Sequence, residues 1–151
     1  MKKIKYLIII LLVPLLVACN MKKEAIDEDQ FISIMKSEGF DVVNIENQFE
    51  KYGYYEEVLV ATNENYRIDF YELEDESYAK KLYNQNKQTI ESGIEGKYVN
   101  TDSDLINNNK YTLTNNDVYT VISRVDDTII YLSVSSEYKN EVQNILKKLG
   151  Y

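Results

Sequence analysis

The sequence predicts an α+β domain: a single antiparallel β-sheet of about six strands with three helices, mostly packed on one face. Two observations carry that expectation. Strand-like runs outnumber βαβ alternations, and the gaps between several of them are too short for a crossover, so the strands pair antiparallel. Three longer stretches keep helical spacing and carry capping residues at their ends. The 125 residues from Asp27 to Tyr151 are enough for one core without disulfide or metal staples.

The chain opens with Lys2, Lys3 and Lys5, followed by an uncharged run of 13 residues, Tyr6 to Ala18. A basic start and a short apolar run are the pattern of an export signal, and a membrane-spanning helix needs about 20 residues. Residues 1–18 are therefore expected to be a signal peptide. Residues 19–26 follow as Cys19 and a short tether without a packed pattern, and residues 27–151 form the domain.

The first helix is expected from about Asp27 to Glu38. Asp27 suits the N-cap, Glu28 and Asp29 suit the first turn, and Gly39 suits the exit. Phe31, Ile34 and Met35 fall on one face. Phe40 to Ile45 reads as a strand. Tyr54 to Thr62 and Tyr66 to Leu73 read as a hairpin around the turn cluster Asn63-Glu64-Asn65. The second helix begins near Asp75 or Glu76 and runs to about Glu91, with Ala79, Leu82, Tyr83, Asn86 and Ile90 in register.

The polar stretch Asn100 to Lys110 leads into a meander of three strands, Tyr111 to Thr114, Val118 to Val125 and Thr128 to Ser135. A short further strand can sit at the start of that stretch. A two-residue turn at Asp126-Asp127 opposes Ser123 to Ile130, Val121 to Leu132 and Tyr119 to Val134. At the preceding turn a three-residue loop, Asn115 to Asp117, is expected, because it places Tyr111 and Leu113 on the main apolar face. The third helix runs from Ser136 to Leu149 with Tyr138, Val142, Ile145, Leu146 and Leu149 as its buried stripe.

Composition excludes several chemistries. The chain has no histidine, so no His-dependent catalytic group exists. One cysteine permits no intrachain disulfide and no multi-cysteine zinc site. No Gly-x-Gly-x-x-Gly, P-loop or Gly-x-Ser-x-Gly occurs, while a Ser–Lys pair stays formally open because both residues are plentiful. No cofactor and no metal is expected. Asn100-Thr101-Asp102-Ser103-Asp104 starts like an EF-hand loop, but Leu105 stands where glycine belongs and Tyr111 where glutamate belongs. Glu56, Glu57, Glu72, Glu74, Asp75 and Glu76 supply carboxylates that a hydrolase would need in a cleft. Loss of residues 1–18 removes three lysines and no acid, taking the net charge from −8 to −11, which argues against nucleic acid as partner.

The run Leu16-Val17-Ala18-Cys19 resembles the lipobox of bacterial lipoproteins. The resemblance implies cleavage before Cys19, a diacylglycerol thioether on its sulfur, and a protein held on the outer face of the cell membrane. Three further stretches resemble the small uncharacterised lipoproteins of Gram-positive low-GC bacteria. These are Phe31-x-x-x-Met35-x-x-x-Gly39-Phe40-x-Val42, then Phe70-Tyr71-Glu72-Leu73 leading to Ala79-x-x-Leu82-Tyr83, then Val121-Ile122-Ser123-Arg124-Val125-Asp126-x-Thr128. That resemblance adds location and no activity.

One candidate partner face stands out. Arg124, one of two arginines, lies with Thr120, Ile122, Ile129 and Tyr131 on the sheet face opposite the main apolar one, and that face is apolar for solvent. Arg124 is read either as an anion contact in a ligand groove or as a partner for a nearby acid beneath a helix. Tyr52, Tyr54, Tyr55, Tyr66 and Tyr71 are read either as an aromatic platform for glycan or peptide, or as ordinary strand residues. The expected role is a non-catalytic binding module for an envelope protein, peptide or glycan. An envelope hydrolase using carboxylates or a bound metal, or a spacer without a ligand, are the alternatives.

Overall fold

The computed structural model describes residues 22–151, so the expected signal peptide and Cys19 lie outside the described residues. The α+β class holds, with seven strands rather than six. In chain order the elements are α1 (Glu28–Ser37), β1 (Asp41–Asn44), β2 (Tyr55–Thr62), β3 (Arg67–Leu73), α2 (Glu76–Ser92), β4 (Tyr98–Asp104), β5 (Asn108–Asn115), β6 (Val118–Val125), β7 (Thr128–Ser135) and α3 (Lys139–Lys148). Two 3-10 turns, Glu46–Gln48 and Glu50–Tyr52, bridge β1 to β2, and a third, Ser136–Tyr138, leads into α3. The sheet order is β1-β2-β3-β7-β6-β5-β4, antiparallel throughout.

The helices start where their side chains satisfy free amides. Asp27 accepts from the Gln30 backbone at 2.8 Å, and the Gln30 side chain accepts from the Asp27 backbone at 3.1 Å, a full capping box. Asp75 accepts from the backbones of Ser77 and Tyr78 at 2.7 and 3.0 Å, and the Ser77 hydroxyl, followed by these amides, holds its carboxyl below the usual range.

The helices divide between the two faces. α1 and α3 cover one face, where Phe31, Met35, Val142, Ile145 and Leu146 meet Leu59, Ile68, Phe70, Val121, Ile130 and Leu132. α2 covers the other, where Ala79 and Tyr83 meet Leu73, Tyr111, Leu113, Ile122 and Ile129. The sheet is therefore buried on both sides.

That double burial explains the one register that sequence reasoning misplaces. The β6–β7 hairpin pairs Ser123 with Ile130, Val121 with Leu132 and Tyr119 with Val134, as expected, and Asp126 takes the left-handed φ of 48° that the tight turn requires. The β5–β6 connection, however, is the two-residue turn Asn116-Asp117, pairing Asn115 with Val118. Tyr111 and Leu113 consequently lie under α2, and Lys110 and Thr112 take the Val121 face. An apolar pattern fixes register only where one face is solvated.

The extra strand is β4, an edge strand in which every residue is exposed and most are polar. Residues 22–26 also depart from the expected free tether. Ala25 and Ile26 pack on the core. The Asn107 side chain holds the Lys23 backbone from both sides, accepting from its amide at 3.3 Å and donating to its carbonyl at 2.6 Å.

Candidate functional site

The sheet face under α2 contains all four residues of the expected partner face, and α2 divides them. Arg124 is fully buried. Its Nε donates to the Asn109 side chain at 2.6 Å, and its Nη1 donates to the Asp126 carbonyl at 2.7 Å and to the Glu76 carboxylate at 3.1 Å. Glu76 is the first residue of α2, so this guanidinium ties the helix start to β5 and to the β6–β7 turn. Ile122 is likewise fully buried beneath α2. Neither side chain stands on a free face.

Thr120 and Tyr131 are different. They sit where the C-terminal half of α2 leaves the sheet incompletely covered. Thr120 shares a hydrogen bond with Ser133 at 3.0 Å. Tyr131 stands between two hollows that flank α2. One, about 390 Å³, is bounded by Ile90 of α2 and by Leu113, Val118, Thr120 and Tyr131 of the sheet. The other, about 260 Å³, is bounded by Phe49, Tyr55, Asp69, Tyr71, Leu82 and Tyr131.

The second hollow has the denser chemistry. Phe49 lies 5.0 Å from Tyr55 and 6.4 Å from Tyr71 between ring centres, and Tyr55 lies 6.0 Å from Tyr71. Tyr54 stacks on Tyr78 at 5.0 Å and adjoins Tyr55 at 4.8 Å. Asp69 is 5% exposed, and both of its oxygens accept from Arg67 at 2.8 Å, a bidentate pair. The Tyr71 hydroxyl donates to the same carboxylate at 3.4 Å. Burial pushes the Tyr55 hydroxyl up to about 12, with Tyr54 adding to the shift, and pushes Tyr71 up as well, with the Asp69 charge adding to it. Both phenols remain protonated donors at neutral pH. Of the tyrosines singled out in the sequence, Tyr52, Tyr54, Tyr55 and Tyr71 converge here. Tyr66 does not: it packs on Phe40 and Tyr138 on the opposite face and donates to Glu141 at 2.7 Å. Phe49 carried no sequence signal, because 3-10 turns place it, whereas the alternation along Tyr66 to Leu73 does put Asp69 on one face with Arg67 and Tyr71.

A third hollow, about 290 Å³, is acidic and open, bounded by Asp27, Glu28, Asp29, Glu56, Glu57 and Glu72. Glu57 and Glu72 are directly opposed across β2 and β3. Burial raises both carboxyls; the Asn44 hydrogen bond opposes this for Glu57, and the charges of Asp127, Glu56 and Glu57 add to it for Glu72. A carboxyl held above its ordinary value binds its proton more tightly folded than unfolded. Stability therefore grows as pH falls through its folded pKa, and the gain is complete below the unfolded value near ~4.3. Glu72→Gln is expected to stabilise the domain by about 0.5 kcal/mol at neutral pH, the scale of an opposed like-charge pair, with the advantage vanishing near pH ~4. Thermal melts across that range check it; equal midpoints at pH ~7 would remove the repulsion argument.

The remaining candidates disperse. Asn100 to Asp104 form β4, where alternate side chains stand ~6.6 Å apart along the strand and cannot close on one cation. Asp102 pairs with Lys87 and Asp104 accepts from Asn109. Ser-x-x-Lys spacing occurs at Ser33/Lys36, Ser77/Lys80 and Ser136/Lys139. Lys80 pairs with Glu76 at 3.0 Å and Lys139 donates to Thr114 at 3.3 Å. No hydrogen bond joins a serine to a lysine among the described residues.

No protein-family model and no curated protein matches the sequence. A crystal structure from Thermotoga maritima, described as a GTP binding regulator, aligns with 83% of this chain and 85% of its own, at 19% identity and a TM-score of 0.48.

Proposed function

We propose that this chain is a membrane-anchored extracytoplasmic lipoprotein whose domain is a non-catalytic binding module. The anchor rests on the coincidence of a basic start, a short apolar run, the lipobox and the chain's one cysteine at Cys19. The binding role rests on the hollow beside Tyr131. Aromatic walls from Tyr55, Tyr71 and Phe49 surround the buried Asp69 carboxylate, which the exposed Arg67 holds in place, a combination of stacking surface and fixed polar groups that suits a glycan or an envelope peptide. Tyr131 is the member of the expected partner face that lines this hollow; Thr120 lines the neighbouring one, and Ile122 and Arg124 are buried under α2. The acidic hollow favours a second reading, an envelope hydrolase using Glu57 and Glu72, since raised carboxyls serve as general acids.

The test is photo-crosslinking in cells from position 85, exposed on α2 next to the hollow. A dominant adduct that disappears in Tyr131→Ala and in Cys19→Ala is expected, the latter because the precursor stays uncleaved and unanchored. A lipidated, folded protein without an adduct overturns the binding role. An adduct that survives Tyr131→Ala overturns the choice of hollow.

A further inference from the structure

We infer that the tip of the β4–β5 hairpin, Leu105 and Ile106, inserts into the lipid surface beside the anchor. The inference rests on the lipoprotein reading above. Leu105 and Ile106 are 61% and 81% exposed, and Ile106 is the most exposed large apolar side chain among the described residues. They form the connection between two strands, where polar turn residues are the rule, and nothing in the hairpin's hydrogen bonding needs them. The turn is closed by the Leu105 backbone donating to the Asn108 carbonyl at 2.8 Å, a bond available to any side chain. Two adjacent bare aliphatic residues at a protruding tip are costly in water and favourable in a membrane interface.

The path of the chain says what covers them. The next residue, Asn107, is 3% exposed and grips the Lys23 backbone through both its amide groups. Lys22 reinforces the same point by pairing with Asp126 at 3.2 Å. Cys19 precedes Lys23 by four residues, and four residues span at most about 14 Å. A lipid on Cys19 therefore brings the bilayer within that distance of Asn107, at the end of the molecule where Ile106 protrudes. A longer free tether would leave the domain's orientation open; the Asn107 clamp removes that freedom.

Charge agrees with this orientation. Lys22, Lys23, Lys110 and Lys147 gather near the clamp, and the nearness of Lys23 and Lys147 adds to the burial that lowers the Lys110 ammonium. Anionic headgroups favour such cations near the clamp, although Asp126 already pairs with Lys22 there.

The chain's own chemistry supplies a clean test. With Cys19 acylated, an introduced thiol is the only one free for labelling. Ile106→Cys and, as a control at the far end, Glu64→Cys are each labelled with an environment-sensitive fluorophore. Each lipidated protein is reconstituted into phosphatidylcholine vesicles carrying a minority of phosphatidylglycerol. Both positions are exposed, so neither substitution disturbs packing. The label at 106 is expected to shift to the blue and to be quenched several-fold more strongly by nitroxide lipids than the label at 64. Equal quenching at the two positions, with mass spectrometry showing the acylated N-terminus, overturns the insertion and leaves the anchor standing. A mature protein without acyl chains overturns the anchor and this inference together. A blue shift at 106 without lipid quenching assigns the tip to contact between copies and overturns insertion.

Discussion

Arg124→Ala is expected to destabilise the domain by about 3 kcal/mol, a large share of the roughly 5–15 kcal/mol that hold an ordinary domain folded. Three losses combine. A large, fully buried side chain leaves a cavity between α2, β5 and β6. Asn109 and the Asp126 carbonyl lose their donors in a site with little water, and Glu76 loses its link to the sheet. Glu76 itself re-solvates, being 43% exposed and still paired with Lys80, so its share of the cost is small. Arg124→Met separates volume from charge. It fills most of the space and relieves the burial of a guanidinium whose Nη2 has no partner, so a loss of about 1 kcal/mol or less is expected. Urea unfolding of both variants reads the difference as a midpoint shift of about 1–2 M for the alanine. A ligand-contacting arginine would behave in reverse: unchanged midpoints with a lost crosslink at Gln85. That result would return Arg124 to the binding face.

The contrast between Arg124 and Tyr131 shows what the sequence displays and what it hides. Alternation along β6 and β7 correctly places Thr120, Ile122, Arg124, Ile129 and Tyr131 on one face. It cannot tell that α2 crosses that face from Glu76 beside Arg124 to Ile90 beside Tyr131, because the crossing depends on packing among Ala79, Tyr83 and β5. Helix ends were legible because Asp27 and Asp75 cap by local hydrogen bonds. The strand β4 was legible only as an optional short strand near Asn100, since an edge strand with both faces in water needs no apolar period. The hollow was half legible. Its tyrosines are conspicuous, whereas the clustering of Phe49 with Tyr55 and Tyr71 follows from the bulge at the start of β2 and a 3-10 turn, neither of which has a strong residue signature. Docking of residues 22–26 was invisible for a similar reason: one asparagine side chain, Asn107, binds backbone and ignores sequence.

Tyr151 is the other residue whose loss is expected to be severe. The sequence marks Gly150 as the end of the last helix and gives no reason to count the next residue in the core. Gly150 does adopt a left-handed φ of 82°, and its amide donates to the Lys147 carbonyl at 3.2 Å while the Tyr151 amide donates to the Leu146 carbonyl at 2.8 Å. These are the paired bonds of a Schellman motif, and they turn the chain back over α3. Tyr151 is thereby driven into the core against the α1–α3 face of the sheet, 4% exposed. Its hydroxyl reaches Thr128, whose own hydroxyl donates to the Val125 carbonyl at 2.7 Å, so the tyrosine is the donor of the pair. Burial raises its pKa, which keeps it a donor over the physiological range. Tyr151→Ala removes an aromatic ring from this closed site and is expected to destabilise by about 3–5 kcal/mol. Tyr151→Phe keeps the ring and is expected to cost about 1 kcal/mol, because Thr128 loses a donor yet keeps its bond to Val125. Denaturant melts of the two variants decide between packing and hydrogen bonding. A phenylalanine as damaging as the alanine would place the stability in the hydroxyl, and an alanine with an unchanged midpoint would show the terminal turn to be dispensable for closing the face on which α1 and α3 meet.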